Sequence, residues 1–287
     1  MSDTQTRPHI AAYSLCYMEG ALLAANIRRM YDLIDEFRVV IGPANVGAHY
    51  HAFPDHESAE IIRRIPDPQH KIRLVVSETA WLSKEIMTQV ATHDLKADIL
   101  LQLDADEFWP LDTFKRAVAH LIENDLDRLG MWHAMFFGDC DHLTARPCDV
   151  PGTGALSSAA LWFYPIRLMK VHPGCTVRHV RPAFVSTDGR VWGDRINTLL
   201  ITPPVWHFAW IGQTRVLRKR EYYAKARHMP MFSVEQWNTA RDRGWPRQTL
   251  TINNGPVTII RCPESVKAPA DVRTTVLEAL GEGVVTG

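Results

Sequence analysis

The sequence predicts an α/β fold in which a mainly parallel central sheet is flanked by helices. Between Ile10 and about Phe137, short apolar runs alternate with amphipathic stretches, which is the pattern of successive βα units. The run ADILLQL at 97–103 is continuously apolar, as expected of a strand buried on both faces. The chain has 287 residues, 46% of them hydrophobic, which suffices for a substantial core and excludes general disorder.

The first half is predicted to contain strands separated by helices. IAAYSLC forms the first strand, and the helix that follows it repeats Leu22, Ile27 and Ile34 near helical spacing. A loop rich in Gly, Pro, Asn and His follows the second strand. The predicted strands cover 10–16, 37–42, 71–76, 97–103 and 129–137, and the predicted helices cover 21–34, 56–65, 81–93 and 111–125.

Beyond Gly138 this alternation ends. Residues 138–158 are polar and contain Pro and Gly, so a long loop is predicted there. Apolar runs at 160–169, 181–185 and 198–210 predict strands with irregular connections, and helices are predicted at 213–228 and 233–242. We therefore expect one domain over 1–287, with a nucleotide-binding half at 10–140 and an irregular, partner-binding half at 141–287.

The charge of the chain is unevenly distributed. The whole sequence has 32 basic and 32 acidic residues, so its formal net charge is zero. Residues 1–150 carry 14 basic and 23 acidic side chains, a net charge of −9, whereas residues 151–287 carry 18 and 9, a net charge of +9. Such asymmetry is typical of chains with a surface that faces a polyanion, so neutrality does not exclude an anionic partner.

The cysteines and the hydrophobic runs predict the cellular location. The chain has five Cys and no C-x-x-C pair, which argues against a disulfide framework or a structural zinc site and favours a reducing compartment. The segment MSDTQTRPH lacks the apolar core of a secretory signal, and no run approaches about 18 apolar residues. A cytoplasmic protein without a transmembrane segment is expected.

The segment LLQLDADEFWP contains the most informative motif. If the chain stays extended past Leu103, Asp104 and Asp106 point to the same side at the carboxyl end of a buried strand. Open α/β sheets bind their ligands at that edge, and paired carboxylates suit Mg²⁺ or Mn²⁺. The alternative is a turn or a helix cap, because Asp is common in both. An EF-hand calcium loop is excluded, since its sixth position would be Trp109 instead of Gly.

In this context the D-x-D motif resembles that of the GT-A fold glycosyltransferases, which use nucleotide sugars, and especially the family-two-like members. The likeness covers roughly residues 10–140, from YSLCYMEG through a Trp81-containing helix to ADILLQLDADEF. It implies a Rossmann-like sheet, a nucleoside diphosphate sugar donor, and Mn²⁺ or Mg²⁺ held by Asp104 and Asp106. By the same likeness Tyr13 falls where the donor base lies, and Glu19 falls in the donor-binding segment after the first strand. The segment GPANVGAHYH departs from the family's Asp-rich signature, which leaves the base open.

Further candidates lie in the second half. His207, within PPVWHFAWIG, is either a hydrogen-bonded core residue or, as the resemblance implies, a ligand of the metal or diphosphate. An inverting transferase needs a carboxylate to deprotonate the acceptor hydroxyl. Asp194 is the first candidate for this base, and Asp139 or Asp141 the second; an N-cap role is the alternative for each.

The run RVLRKREYYAKARH places many basic residues on one predicted helix. A solvated surface is one interpretation. The other is that Arg215 and Arg218 clamp the donor diphosphate, or that the helix attracts an anionic acceptor. The acceptor is left open among a glycan, a lipid-linked hydroxyl and a nucleic-acid hydroxyl, the last requiring an exposed base.

The function favoured by the sequence is thus metal-dependent glycosyl transfer, with inversion expected. A nucleotidyltransferase is one alternative, although YSLCYMEG lacks the Gly-rich phosphate loop of that class. A nucleic-acid-binding or nucleotide-binding protein without catalysis is another, with the basic half as its binding surface.

Overall fold

The computed structural model of the chain describes residues 7–44, 54–145, 165–179, 182–186, 188–192, 195–226, 231–246, 249–252 and 255–281. Within these residues the predicted α/β class is confirmed. Helices flank a seven-stranded sheet whose strands are mostly parallel, and a five-stranded and a three-stranded sheet accompany it. The assignment of one domain stays a prediction, and the expected division between residues 140 and 141 falls within a strand.

The strands are, in chain order, β1 (Ile10–Cys16), β2 (Glu36–Ile41), β3 (Ile72–Val76), β4 (Ile99–Gln102), β5 (Glu107–Phe108), β6 (Arg128–Met131), β7 (His133–Ala145), β8 (Ile166–Lys170), β9 (Thr176–Arg178), β10 (Ala183–Val185), β11 (Val191–Trp192), β12 (Ile196–Leu199), β13 (Val205–Ile211), β14 (Thr249–Ile252) and β15 (Gly255–Arg261). The helices are α1 (Gly20–Met30), α2 (His56–Arg63), α3 (Lys84–Thr92), α4 (Leu111–Glu123), α5 (Gln213–Ala226), α6 (Val234–Asp242) and α7 (Ala270–Ala279), with a 3₁₀ turn at Glu264–Val266.

The seven-stranded sheet has the order β12-β6-β8-β4-β1-β2-β3. Its β4, β1, β2 and β3 run parallel, whereas β8 runs antiparallel to both β4 and β6. Every residue of β2 and β4 is buried, because other elements pack on both faces of the sheet. Because β1, β2 and β4 are parallel, their carboxyl ends lie at one edge of the sheet. The chain after β4 and the start of β8 lie at the same edge.

Helices α1 and α2 pack closely beside this edge. A Cβ built on Gly20 would lie 2.5 Å from Ser58 Cα, a separation that no side chain tolerates. Gly20 N also donates to Ser58 Oγ (3.0 Å). The close approach fixes the start of α1, and with it the segment that carries Glu19.

The five-stranded sheet, of order β14-β15-β7-β13-β5, joins the two halves of the chain. Its strand β5 follows β4 directly and pairs antiparallel with β13, which sets His207 opposite Glu107. An aromatic cluster lies on this sheet and buries one face of α5 and α6; its largest members are Phe137, Trp210, Phe232, Trp237 and Trp245. The result is that α5 is held against the edge where β4 ends.

Some predicted boundaries are wrong. The loop predicted from Gly138 is a strand as far as Ala145, because β7 continues there to pair with β15. The run at 129–137 divides into β6 and β7, and the run at 198–210 divides into the end of β12 and β13, with a cis peptide bond between Thr202 and Pro203. The α7 helix and the β14–β15 hairpin were not predicted.

Two other expectations concern cysteines and membranes. Among the residues that the structure describes, four cysteines are free: Cys16, Cys140, Cys175 and Cys262. No helix found in the described ranges has the length and apolar character needed to cross a bilayer.

Candidate functional site

The D-x-D motif forms a tight turn directly after β4. Glu107 N donates to Asp104 O (3.1 Å), so the chain turns after Leu103 and does not stay extended. Asn26 of α1 donates through Nδ2 to the carbonyl oxygens of Asp104 (3.2 Å) and Glu107 (2.6 Å), and Phe208 N donates to Asp106 O (2.8 Å). The turn is therefore held by both α1 and β13. Asp104 and Asp106 line the same cleft even so.

Asp106 is surrounded by positive charge. Its Oδ2 accepts from Arg215 Nη2 (2.6 Å) and Lys219 Nζ (2.9 Å), both on α5, and lies 3.4 Å from His207 Nε2. Burial opposes ionisation of this carboxyl, but Lys219, His207 and Arg215 outweigh it and hold the pKa of Asp106 well below its usual value. Asp106 is therefore ionised at neutral pH.

Asp104 is held by an arginine from β8. Arg167 Nη2 donates to Asp104 Oδ2 (2.9 Å) and to Glu107 Oε1 (2.5 Å), while Arg167 Nε donates to Glu107 Oε2 (2.6 Å). Burial would raise the pKa of Asp104, but the Arg167 guanidinium holds it below its usual value. Gln102 Nε2 donates to Asp104 Oδ1 (3.2 Å) and thus orients the same carboxylate from behind.

Arg215 has a fixed position in this arrangement. Its Nη1 donates to the carbonyl oxygens of Phe208 and Ala209 (both 2.8 Å), and its Nε donates to Glu19 Oε1 (2.6 Å). Together these contacts form one set of charged side chains, called the ion-pair network below. Its members are Glu19, Asp104, Asp106, Glu107, Arg167, Arg215 and Lys219. Four carboxylates and three cations leave it with a net charge of −1.

A buried cluster lies behind Asp106. Glu107, His133 and His207 offer ligand atoms that all lie within 4.8 Å of one another, as a metal ion would require. Both oxygens of Glu107 already accept from Arg167, however, and the side chains of Glu107 and His133 are fully buried. His207, in contrast, also lines the cleft.

His133 provides a pH-dependent prediction. Burial, with the Arg167 charge, holds the pKa of His133 well below its usual value, so it is neutral in the folded protein. The unfolded chain takes up a proton at this residue below about pH 6.5, so the free energy of unfolding falls on acidification by up to about 1.4 kcal/mol per pH unit. Urea unfolding at pH 7.5 and 5.5 checks this. His133→Gln should reduce the difference between the two values, whereas His93→Gln, at an exposed position, should not. The same difference in all three proteins would contradict the assignment.

The cleft at this edge has a volume of about 300 Å³. One wall comes from the segments after β1 and β2, the floor from the D-x-D turn, and the other wall from α5. Two cations in the lining, Lys84 of α3 and Arg218 of α5, have no ion-pair partner among the described residues. Tyr222 and Tyr223 of α5 complete the lining on that side. The cleft thus combines ionised carboxylates with unpaired positive charge.

The structure brings together most of the site residues predicted from the sequence. Asp104, Asp106, His207, Glu19, Arg215 and Arg218 all line the cleft. Tyr13 does not: its side chain is fully buried beneath the cleft, and its OH donates to Gln102 Oε1 (2.8 Å). A buried ring does not reach a base held in the cleft, so Tyr13 is placed to support the Gln102–Asp104 contact instead.

The three candidate bases lie elsewhere or outside the described residues. Asp139 accepts from His142 Nδ1 (2.7 Å), and Asp141 pairs with Lys267 (3.1 Å) and Arg273 (3.3 Å). Neither aspartate lines the cleft. Asp194 falls outside the residues that the structure describes, so its role stays a prediction.

Sequence reasoning missed Arg167 and the part that Glu107 plays with it. A signal for Arg167 was present, because one arginine stands inside the apolar run IRLM, and a charged residue in a buried strand requires a partner. Glu107 directly follows the D-x-D motif in the sequence. Its pairing with β8 depends on an antiparallel strand inserted between β4 and β6, which no local pattern predicts.

Comparisons with known proteins were made at the level of sequence and of structure. No protein-family model matches the sequence, and no match was found among curated proteins. Solved structures do match. The structural neighbours include GT-A glycosyltransferases.

One neighbour is the mannosyltransferase PcManGT from Pyrobaculum calidifontis, in complex with GDP-Man and Mn²⁺; it is 22% identical over 44% of this chain and 36% of its own, with a TM-score of 0.36. Another is S. aureus TarS, fragment 1–349, in complex with UDP-GlcNAc, which is 14% identical over 69% of this chain and 58% of its own, with a TM-score of 0.40. A third is CMP:2-keto-3-deoxy-manno-octonic acid synthetase complexed with CTP. It is 10% identical over 57% of this chain and 71% of its own, with a TM-score of 0.33. The chain thus spans little more than a third of the first neighbour and under two thirds of the second.

Proposed function

We propose that this protein is a metal-dependent glycosyltransferase that moves a sugar from a nucleoside diphosphate sugar to an acceptor hydroxyl. The observation that carries the proposal is one cleft in which Asp104 and Asp106, at the end of β4, face Arg218 and Lys84. Ionised carboxylates suit a divalent cation, and unpaired cations suit a diphosphate. A ligand that contains both a metal ion and phosphates matches this combination.

The residues present fit a divalent cation. Asp104 and Asp106 are both held ionised, and hard carboxylate oxygens are preferred ligands of Mg²⁺ and Mn²⁺. The Asp104 side chain is 33% exposed, so it borders the open part of the cleft. His207, within 3.4 Å of Asp106, would add the imidazole nitrogen that Mn²⁺ accepts. We prefer this set to Glu107, His133 and His207, because Asp104 and Asp106 line the cleft, whereas the side chains of Glu107 and His133 are fully buried.

The chain's own residues would bind and orient the donor. When bound, a divalent cation neutralises charge that develops on the leaving diphosphate. Arg218 and Lys84 are available to hold phosphate oxygens, because neither is paired to a carboxylate among the described residues. Tyr13 and Gln102 would keep the Asp104 carboxylate oriented from the protein interior. Arg167 would prevent Asp104 from turning out of the cleft.

Acceptor activation requires a carboxylate that takes the proton of the acceptor hydroxyl. We keep Asp194 as the first candidate for the base that deprotonates the acceptor hydroxyl, with inversion at the anomeric carbon. Asp139 and Asp141 are weaker candidates, because neither lines the cleft. The acceptor stays open among a glycan, a lipid-linked hydroxyl and a nucleic-acid hydroxyl. A cytoplasmic location also stays a proposal, based on cysteine usage.

A screen of donors tests the proposed function. Thermal unfolding would be followed with UDP-, GDP-, CDP-, ADP- and dTDP-sugars, each with Mn²⁺, with Mg²⁺ and with EDTA. We expect one nucleoside class to raise the Tm only in the presence of metal, and slow release of the nucleoside diphosphate from that donor. Release of pyrophosphate from a nucleoside triphosphate would instead indicate a nucleotidyltransferase. Salt-sensitive binding of DNA or RNA, without any response to nucleotide sugars, would indicate a binding protein and refute the proposal.

A further inference from the structure

Asp106 contacts two cations that differ in how firmly they are held. Arg215 makes further hydrogen bonds to Glu19 and to two backbone carbonyls, and its side chain is only 9% exposed. Removing it from Asp106 would leave those groups without a donor. Arg215 is therefore a permanent part of the site.

Lys219 is held much less firmly. Its Nζ contacts Asp106 Oδ2 at 2.9 Å, and its side chain is 22% exposed at the cleft. The same Nζ lies 5.5 Å from the ring centroid of Trp210, which offers the ammonium a second favourable surface. A lysine is a point charge on a flexible stem, so Lys219 can leave Asp106 without disturbing α5.

The charges indicate what this movement would achieve. The ion-pair network has a net charge of −1 while Lys219 is in contact with Asp106. If the ammonium leaves, the remaining carboxylates and arginines have a net charge of −2, which one divalent cation balances. The ammonium and a divalent cation therefore compete for Asp106.

We infer that Lys219 occupies Asp106 as an internal cation, and that a divalent ion replaces it when a diphosphate is present to accept the ammonium. This inference rests on the proposed function for the identity of the diphosphate. It makes Lys219 a positioning residue that couples metal binding to donor binding. Without nucleotide, the metal must displace the ammonium into solvent or onto Trp210. With nucleotide, the ammonium moves to a phosphate oxygen, and each ligand strengthens binding of the other.

The experiment measures the affinity for Mn²⁺ alone, from the loss of the free-ion EPR signal, in the wild-type protein and in variants of Lys219. Lys219→Met should bind Mn²⁺ at least about tenfold more tightly than the wild type, because the competing charge is gone. Lys219→Arg, which keeps the charge, should show no such gain. Lys219→Gln serves as a second neutral variant if the Met variant does not fold, as judged by circular dichroism and Tm.

The chain offers a matched control. Asp141 is held by Lys267 and Arg273 much as Asp106 is held by Lys219 and Arg215, but it lies outside the cleft. Lys267→Met should therefore leave the Mn²⁺ affinity unchanged. Equal affinities in wild type, Lys219→Met and Lys219→Gln would overturn the inference, as would an equal gain in Lys267→Met or Lys219→Arg.

A second titration separates this inference from the proposed function. Mn²⁺ binding would be repeated with a saturating concentration of UDP, GDP, CDP, ADP or dTDP. The wild type should gain affinity with one of these diphosphates, and Lys219→Met should gain less, because its metal site is already free. If no diphosphate binds with Mn²⁺, the proposed function fails, while the affinities for Mn²⁺ alone still decide whether Lys219 competes for Asp106.

Discussion

The substitution Asp104→Asn is expected to lower the rate of sugar transfer by at least about 10²-fold while the protein stays folded. The amide keeps the shape of the carboxylate but removes the negative charge that a divalent cation needs. Arg167 stays paired with Glu107 through two hydrogen bonds, so no buried guanidinium loses its partner. The Asp104 side chain is one third exposed, and we expect the free energy of unfolding to change by no more than about 1 kcal/mol.

The measurements for this variant are donor turnover, Mn²⁺-dependent nucleotide binding and urea unfolding. Asp112→Asn is the matched control, because Asp112 lies on the exposed surface of α4 just beyond the motif. It should retain wild-type turnover and stability. Full activity of Asp104→Asn would remove the central claim of the proposed function, and a collapse of stability would mean that Asp104 acts mainly through its ion pair.

Replacing Arg215 with Met is expected to lower the free energy of unfolding by about 3–5 kcal/mol. In the variant, only Lys219 and His207 remain beside buried Asp106 to offset its negative charge. The carbonyl oxygens of Phe208 and Ala209 also lose the hydrogen bonds that Arg215 donates. Breaking a buried ion pair on one side costs more than the pair contributes, because the remaining charge stays out of water. Equilibrium urea unfolding measures the loss.

Arg218→Met is the control for this prediction. Arg218 lies on the same helix and lines the same cleft, but it has no ion-pair partner among the described residues. We expect its stability to stay within about 0.5 kcal/mol of wild type, since nothing buried depends on its charge. Its affinity for a nucleoside diphosphate should fall. Equal destabilisation of both variants would show that α5 is sensitive to any substitution, and that the contacts of Arg215 are not special.

Much of the fold could be predicted from the sequence because it depends on local pattern. The alternation of apolar runs and amphipathic stretches from Ile10 onward predicted the strands and helices of the first half, and α5 and α6 were also expected. The predicted ends of strands were wrong where pairing with a distant segment decides how far the strand extends. The extension of β7 to Ala145 is such a case, because β15, more than a hundred residues later, completes it.

The candidate site was predictable in its acidic part and less so in its basic part. Asp104 and Asp106 stand at the end of a strand that is recognisable from its composition. The direction of Tyr13 was not recognisable, since a tyrosine in the middle of a strand can point to either face of the sheet. Arg215 was expected to clamp the donor diphosphate, and Lys219 stood out only as a member of the basic run. Their separate roles depend on which turn of α5 faces Asp106.

The sequence by itself determined the α/β class, the position of the carboxylate pair and the division into an acidic first half and a basic second half. Those properties depend on composition and short-range periodicity. Only the tertiary structure decided which charges meet: Arg167 reaches Asp104 and Glu107 from β8, and α5 brings Arg215 and Lys219 to Asp106. The physical reason is that buried charges must be neutralised by partners in space, and the folding of β8, β13 and α5 around the turn after β4 chooses those partners.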